Sequence, residues 1–390
     1  MLMKKLRVGV LFGGRSGEHE ISLLSAASVL AALNKDKYEV VPIGITKEGR
    51  WLSQALAERL LKGEQLPEES GRSPATASTT AILAKGESVI VPPIPNSESI
   101  VPLERERRDA EQGISVDIIF PVLHGTFGED GTIQGLFELS DIPYVGAGVL
   151  GSAAGMDKSI MKSLFVAAGL PIVKHVTLLR TQWEENPKNV VREVERELKY
   201  PVFVKPANLG SSVGISKAHD RKELGSAIET AAIYDRKIVV EQGVGGKKHK
   251  ARELECSVLG NDKPEASIAG EIVPSAEFYD YNAKYHDEGS RLIVPAKITK
   301  KQMQELQEMA IAAFQAVECC GLARVDFLMD PKSGKIYLNE INTMPGFTSI
   351  SMYPKLWAAS GIEYPELIDR LIQFGLERYR EKKKSRYSRN

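Results

Sequence analysis

With 390 residues, 43% of them hydrophobic and 26% charged, the chain has the makeup of an ordinary globular protein with room for two or three domains. Lysine plus arginine and aspartate plus glutamate both number 51, so no global field favours nucleic acid or an anionic membrane as partner. The three cysteines, Cys256 and the adjacent Cys319 and Cys320, are odd in number and lack Cys-x-x-Cys spacing, which argues against a disulfide framework or structural zinc and reads as buried small hydrophobes.

The start, MLMKKLRVGVLFGG, carries an apolar run too short for a signal peptide and reads as a first strand, Leu6 to Phe12. No run of ~18 apolar residues follows, so nothing is expected to span a membrane and a cytoplasmic enzyme is the default. Gly13-Gly14-Arg15-Ser16-Gly17 turns the chain, and Glu18 to Leu33 has helical character. Strand, glycine turn and helix open an α/β domain, with free N–H groups at the helix start. The turn does not match G-x-G-x-x-G, and no G-x-x-x-x-G-K-[ST] occurs, which excludes a dinucleotide fingerprint and a P-loop at the motif level. Tyr38 to Ile45 is a second strand. Residues 62–113 are rich in Ser, Thr and Pro and include the charge run ERERRDAE. They read as an elaboration with a short strand at 88–91 and a solvated charged face.

Val116 to Leu123 is a buried strand that ends in His124-Gly125-Thr126-Phe127-Gly128-Glu129-Asp130-Gly131, before a helix from Thr132 to Leu139. A loop at that place faces ligands in open α/β sheets. His124 is either a ligand-facing or a structural histidine. Met156-Asp157-Lys158 opens a helix through Ala168, and Tyr200 to Pro206 is a strand with Lys205 at its exit. The small-residue loop ANLGSSVGISK, 207–217, is either a plain turn or a loop whose N–H groups close on phosphate, with Lys158 and Lys205 as counter-charge. Ile238 to Glu241 is another strand, and alternation in 252–259 puts Glu253 and Glu255 on one face. FYDYNAKY, 278–285, is either a packed surface loop or a flap over a site. An amphipathic helix runs from Ile298 to Val317, and the end, EKKKSRYSRN, reads as a disordered, solvated basic tail.

Between them, 322–351 forms a hairpin about Asp330-Pro331-Lys332-Ser333-Gly334. Strand alternation aligns Arg324 with Asp326, and Leu338 with Glu340 and Asn342. Unpartnered ions on half-buried strands cost several kcal/mol each. Either these residues form a structural Arg–carboxylate pair, or the Asp, Glu and Asn oxygens hold a hard cation such as Mg²⁺ against phosphate.

Taken together, GGRSGEHEIS at 13–22, HGTFGEDG at 124–131, MDK at 156–158, VKPANLGSSVGISK at 204–217, FYDYNAKY at 278–285 and ARVDFL with LNEINTMPG at 323–346 closely resemble the D-alanine–D-alanine ligase family of the ATP-grasp superfamily. The resemblance runs from about Leu6 to Leu371. It implies an α/β chain, α+β in its C-terminal half, with an N-terminal Rossmann-like parallel-sheet domain followed by a two-lobed ATP-grasp fold. The implied division is 1–150 for the first domain, 151–240 for the central lobe, 241–375 for the C-terminal lobe with metal and catalytic residues, and 376–390 for the tail.

The resemblance further implies D-alanine and ATP as substrates, two Mg²⁺ ions (or Mn²⁺) held by Asp326, Glu340 and Asn342, a homodimer, and a product that enters peptidoglycan synthesis. ATP would be held by Lys158, Lys205, Ser212, Glu241, Gln242, Val244, Glu253 and Asn339, with Glu241 at the adenine and Glu253 at the ribose. Glu18, assisted by His124, would take the first substrate's ammonium. Ser211 and Tyr285 would complete a hydrogen-bond chain from Glu18, with Lys284 beside the substrates. Arg324 and the Gly346 N–H would stabilise an oxyanion, and Ser351 and Met352 would meet the second substrate. Lys284-Tyr285 matches the dipeptide-forming type, so Tyr285→Phe is expected to shift preference toward a hydroxy acid. The rivals are another ATP-grasp ligase, including a D-alanine–D-lactate type, and a non-catalytic nucleotide-binding protein.

Overall fold

The computed structural model describes residues 4–64, 88–95, 100–102, 114–245, 249–274, 291–348 and 350–387. The first region comprises β1 (Leu6–Gly13), α1 (His19–Ala32), β2 (Tyr38–Ile45), β3 (Trp51–Ser53), α2 (Gln54–Leu61), the short pair β4 (Val89–Ile90) and β5 (Val101–Pro102), β6 (Ile118–Val122) and α3 (Thr132–Leu139). The main sheet has the order β3-β2-β1-β6, with β1 parallel to both neighbours. The central strands β1 and β6 are near-continuous apolar runs because helices and further chain cover them on both sides. Their pairing of Phe12 with Val122 brings the glycine turn after β1 beside the His124 loop after β6. Two motifs more than a hundred residues apart thus share one sheet edge. Ser22 of α1 secures the corner, accepting from the Gly13 N–H at 2.8 Å and donating to the Val122 carbonyl.

α4 (Val149–Met156) and α5 (Lys158–Ala167) lead to β7 (His175–Leu179), α6 (Arg180–Glu185), α7 (Pro187–Glu197), β8 (Val202–Pro206), β9 (Ser216–Ala218), α8 (Arg221–Tyr234) and β10 (Lys237–Gln242). Asp157 caps α5, its Oδ1 accepting from the Ser159 and Ile160 N–H groups, which fixes Lys158 as the first helical residue. These four strands form an antiparallel sheet of order β7-β10-β8-β9, with α7 and α8 packed on one face.

The third sheet, also antiparallel, is built from β11 (Arg252–Gly260), β12 (Glu265–Val273), β13 (Arg291–Ile293), β14 (Gly321–Met329) and β15 (Ile336–Asn342) in the order β13-β12-β11-β14-β15. α9 (Lys300–Ala316) covers one face. Thr299 and Gln302 form a capping box at its start, and Leu306, Met309, Ala310, Ala313 and Phe314 make the buried stripe of a 3.6-residue period. α10 (Met352–Ala359) and α11 (Tyr364–Lys382) close the chain.

α11 returns to the first region. One apolar cluster joins Val10, Phe12 and Phe120 of the parallel sheet to Leu322, Met344, Phe347, Trp357 and Leu371. Phe347 is fully buried and meets the Phe120 ring edge-on at 5.8 Å. Truncating it to Ala would cost about 3–5 kcal/mol and loosen this junction.

Two expectations need correction. The basic tail expected over 376–390 is helical through Lys382. Arg378 stacks on the Tyr144 ring at 4.1 Å, and Lys382 and Lys383 pair with Glu138 and Asp141. These three charges have partners on the first region, so the segment docks there as far as Lys383, whereas Lys384 to Tyr387 are exposed, as expected of the end. The second concerns strand alternation: Leu338 does not share a face with Glu340 and Asn342. A bulge opposite Asp326 and Phe327 pairs Asp326 with Glu340 but Phe327 with Leu338, leaving Asn339 as the extra residue. Leu338 is buried in the core under α9, whereas Asn339, Glu340 and Asn342 stay partly exposed.

Candidate active site

The two antiparallel sheets face each other across a cleft of about 1100 Å³, with Lys205 and Glu241 on one wall and Glu253, Glu255, Asp326 and Glu340 on the other. Paired positions on neighbouring strands share a face, so Glu255 opposite Asp326 and Glu253 opposite Leu328 put β11 carboxylates beside those of the hairpin. A smaller pocket of about 560 Å³ adjoins it through Ser212 and Glu340 and reaches Lys158, Ser211, Asn342 and Glu129.

On the hairpin wall, Arg324 grips Asp326 with both ends of its fork, Nε to Oδ1 and Nη2 to Oδ2, each at 2.7 Å. Its Nε also lies 3.1 Å from Glu255 Oε2, and Asn342 Nδ2 donates to Asp326 Oδ2 at 3.0 Å. Burial works against the guanidinium charge, but Asp326 and Glu255 outweigh it and hold the proton on Arg324. Among the described residues no three His, Cys, Asp or Glu side chains enclose an ion by themselves. The arrangement fits a magnesium ion all the same. Mg²⁺ is held by one or two carboxylates with phosphate oxygens and water completing the octahedron. Asp326 and Glu340, opposite each other in register, with the amide of Asn342, supply that partial set of oxygens on the cleft face.

The opposite wall is cationic around one acid. Glu241 is buried between two lysines, with Lys205 Nζ 2.7 Å from Oε2 and Lys162 Nζ 3.0 Å from Oε1. Burial alone would push this carboxyl up, yet the two ammonium groups outweigh it and hold it at about 2. Lys162 has no solvent exposure, and its pKa is lowered by burial despite Glu241. Its Nζ also donates to the Asn339 carbonyl at 3.1 Å, while Lys205 Nζ reaches Asn339 Oδ1 at 3.4 Å. The bulge residue is thereby tied to the lysine cluster. Burial opposes the Lys205 charge too, but Glu241 and Glu340 raise its pKa.

Lys158 Nζ donates to the Leu209 carbonyl at 2.8 Å and stands 3.8 Å from Glu340 Oε2. It thus spans the distance from the serine loop to the hairpin. In that loop Ser211, Ser212 and Gly214 have φ of 49°, 59° and 71°. Left-handed serines cost roughly 1–3 kcal/mol each, strain of a kind that clusters at ligand-gripping loops. Glu18, at the start of α1, is buried where the serine loop meets the His124 loop. A Cβ on Gly210 would lie 2.6 Å from Glu18 Oε1, and one on Gly125 3.1 Å. With glycine at both positions the carboxylate sits there without being displaced.

His124 is buried with both ring nitrogens engaged. Nδ1 faces the Met344 carbonyl at 3.1 Å and so carries the proton, and Nε2 then accepts from Ser25 Oγ at 3.0 Å. Burial lowers its pKa, which agrees with a neutral ring. Gln242 Oε1 accepts from the Lys199 N–H at 3.0 Å, which ties up its side chain, and Gln242 and Val244 both line the cleft. Ser351 Oγ is occupied by Thr348, accepting its N–H at 3.0 Å. The Met352 side chain packs into an apolar cluster with Ile272 and Leu356, with its amide at the start of α10. Gly346 is the one partly exposed residue of the run from Thr343 to Thr348. Lys284 and Tyr285 lie outside the described residues.

Two residues at the centre of this arrangement were not expected. Lys162 stands one helical turn after Lys158, and i,i+4 spacing on α5 was the available signal. Glu129 belongs to the HGTFGEDG motif. Its Oε2 accepts from the Gly125 N–H at 2.6 Å and its Oε1 from the Met344 N–H at 3.2 Å. Burial first, then the neighbouring Glu18 charge, push this carboxyl up to about 8.

The family model described as D-ala D-ala ligase N-terminus matches residues 7–147, and that described as D-ala D-ala ligase C-terminus matches 164–373. A D-alanine–D-alanine ligase of Heliobacterium modesticaldum is 50% identical over 384 residues, covering 98% of both chains. Among solved structures, the VanG D-Ala:D-Ser ligase from Enterococcus faecalis superposes with a TM-score of 0.80 at 36% identity, over 95% of this chain and 100% of that one. The D-alanine-D-alanine ligase from Coxiella burnetii gives 0.78 at 35% identity, over 97% and 96%. With both family models matched in order along the chain and relatives about half identical over nearly its full length, the chain belongs to the D-alanine–D-alanine ligase family.

Proposed function

We propose that the chain joins two D-alanines with consumption of ATP, through an acyl phosphate, and so supplies D-alanyl-D-alanine for peptidoglycan. The observation that carries this reading is the convergence of Lys158, Lys205, Asp326 and Glu340 on two adjoining pockets, with Glu18 Oε1 packed against Gly210 of the smaller one. ATP lies between the two antiparallel sheets with its phosphates toward Lys158 and Lys205. Magnesium bound by Asp326, Glu340 and Asn342 supplies charge neutralisation at the terminal phosphates. Lys162 keeps Glu241 ionised and in place when Lys205 turns toward phosphate.

Glu18 holds the ammonium of the first D-alanine, leaving its carboxylate toward the phosphates. That carboxylate attacks the γ-phosphorus and ADP leaves. The amine of the second D-alanine, having lost its proton, attacks the acyl carbon. Arg324 and the Gly346 N–H stabilise the oxyanion, and phosphate departs as the amide forms. The charge of Arg324, maintained against burial by Asp326 and Glu255, supports this role.

The same reading includes a homodimer and a cytoplasmic setting. Among the described residues no helix is long and apolar enough to cross a membrane.

The test is ADP release coupled to dipeptide detection with D-alanine as sole amino acid, against L-amino acids, D-serine and D-lactate as alternative second substrates. Robust ADP release and dipeptide with D-alanine alone is expected. A marked preference for D-serine, the amino acid for which the Enterococcus faecalis D-Ala:D-Ser ligase is named, would reassign the second substrate. Light scattering tests the dimer.

A further inference from the structure

The segment from Thr343 to Thr348 follows the metal hairpin but is held largely by the first region. Both backbone groups of Met344 are taken from there: its N–H by Glu129 Oε1 at 3.2 Å, its carbonyl by His124 Nδ1 at 3.1 Å. At the other end the Phe347 N–H donates to Ser25 Oγ at 3.3 Å, and its ring rests on Phe120. Between these anchors stand Pro345, which has no N–H, and Gly346, for whose N–H the described residues provide no acceptor. One unclaimed donor is therefore suspended between two anchored residues. Its direction is set by the anchors, because the backbone on each side of it is fixed.

Glu129 has a second attachment. Its other oxygen accepts from the Gly125 N–H, and Gly125 is also the residue against which Glu18 packs. The carboxylate that seats the first substrate's ammonium and the loop carrying the oxyanion donor are thus connected through one side chain. No other described side chain accepts from the Met344 N–H.

We propose that Glu129 is a positioning residue that aims the Gly346 N–H, so that seating of the first substrate at Glu18 tightens the hold on the oxyanion donor. The proposal rests on the reading of Glu18 and Gly346 given above. An ammonium arriving at Glu18 removes the repulsion between the two carboxylates. Glu129 then accepts both N–H bonds as a full carboxylate, and charge-assisted bonds are about twice as strong as neutral ones. The donor is consequently in place when the acyl phosphate meets the second amine, and it contributes to that step alone. Phosphoryl transfer from ATP does not use it.

The two half-reactions separate experimentally. In the full-length enzyme, hydroxylamine traps the acyl phosphate as hydroxamate, reporting the first step, while dipeptide formation reports the second. Glu129→Gln keeps the length but loses the charge. It should lower dipeptide kcat about tenfold to a hundredfold, as small misplacement of a catalytic donor does, with hydroxamate formation and the KM for ATP within about threefold of the parent. Ser25→Ala frees the Phe347 N–H and also removes the donor to His124, loosening both anchors of the loop while leaving Glu18 and Glu129 in place; it should give the same split at smaller size and serves if Glu129→Gln does not fold. Equal loss in both half-reactions, or a rise only in the KM of the first D-alanine, overturns the proposal and leaves the ligase reading standing. A parent enzyme that makes neither hydroxamate nor dipeptide overturns both.

Discussion

Glu18 Oε1 occupies the space that a methyl group on Gly210 would need, the two lying 2.6 Å apart. The parallel-sheet region and the serine loop of the central lobe are thereby fitted to each other at a single carboxylate. Replacing Gly210 by Ala forces either the loop or Glu18 to move. Gly210 itself is only half-buried, so the protein retains its fold. Gly210→Ala is expected to reduce kcat/KM for D-alanine at least about tenfold, equivalent to about 1.4 kcal/mol, with the melting temperature shifted by only a few degrees. Kinetics alongside calorimetry check this, and a variant with normal kinetics would contradict the placement of Glu18 at the substrate.

Arg324 offers a two-point grip to Asp326 that lysine cannot reproduce. Arg324→Lys keeps the positive charge but loses the fork, leaving Asp326 and Glu255 less well satisfied. Activity should fall by about 10²–10³ in kcat, as on losing one oxyanion donor. Because Asp326 then keeps only the Asn342 amide and a weaker cationic partner, the magnesium concentration giving half-maximal rate should change in the same variant. An activity loss with an unaltered magnesium requirement would show that Arg324 and the metal site are independent.

The strand-and-glycine edges are readable in the sequence because parallel strands buried on both faces are plain apolar runs, as in 116–123, and each ends at a visible glycine loop. The hairpin is readable through Asp330 and Gly334. The bulge is invisible there, since an extra residue in β15 leaves no mark in composition; only packing of Leu338 under α9 reveals it. Lys162 is hidden for a related reason. A lysine on an amphipathic helix reads as solvated until a buried Glu241 is found waiting for it. The basic end reads as solvated because the partners of its cations, Glu138, Asp141 and the Tyr144 ring, lie about 240 residues away in sequence but against α11 in space.

Glu241 links the cleft to acid stability. Its carboxyl is depressed from 4.5 to about 2, burial being outweighed by Lys162 and Lys205. A depressed carboxyl stabilises the fold fully above its unfolded value and loses that contribution as pH falls toward the folded value. The window is therefore about pH 4.5 down to 2, and the contribution is about 3 kcal/mol. Urea unfolding of the parent and of Glu241→Gln across pH 7 to 3 should show a smaller loss of stability on acidification in the variant. Parallel pH dependences would mean that the two lysines do not act on Glu241 as their distances indicate.

Glu129 gives the opposite sign. Its carboxyl is raised above the ordinary value by burial and by Glu18, with Arg324 and the Gly125 and Met344 N–H groups pulling the other way. A raised carboxyl favours the protonated form, so folding stability declines as pH rises from about 4.5 toward 8 and is level above that. Glu129, with burial and the neighbouring Glu18 charge acting on it, retains its proton near neutrality. An ammonium placed at Glu18 opposes that proton. D-alanine binding between about pH 6 and 8 should therefore release protons, and release should vanish well above pH 8, where Glu129 is already ionised. Calorimetric titration of D-alanine in two buffers of different ionisation enthalpy measures the release directly, and Glu129→Gln should abolish most of it. If the binding heat at pH 7 is the same in both buffers, no proton leaves, and the first substrate's ammonium does not sit beside this pair.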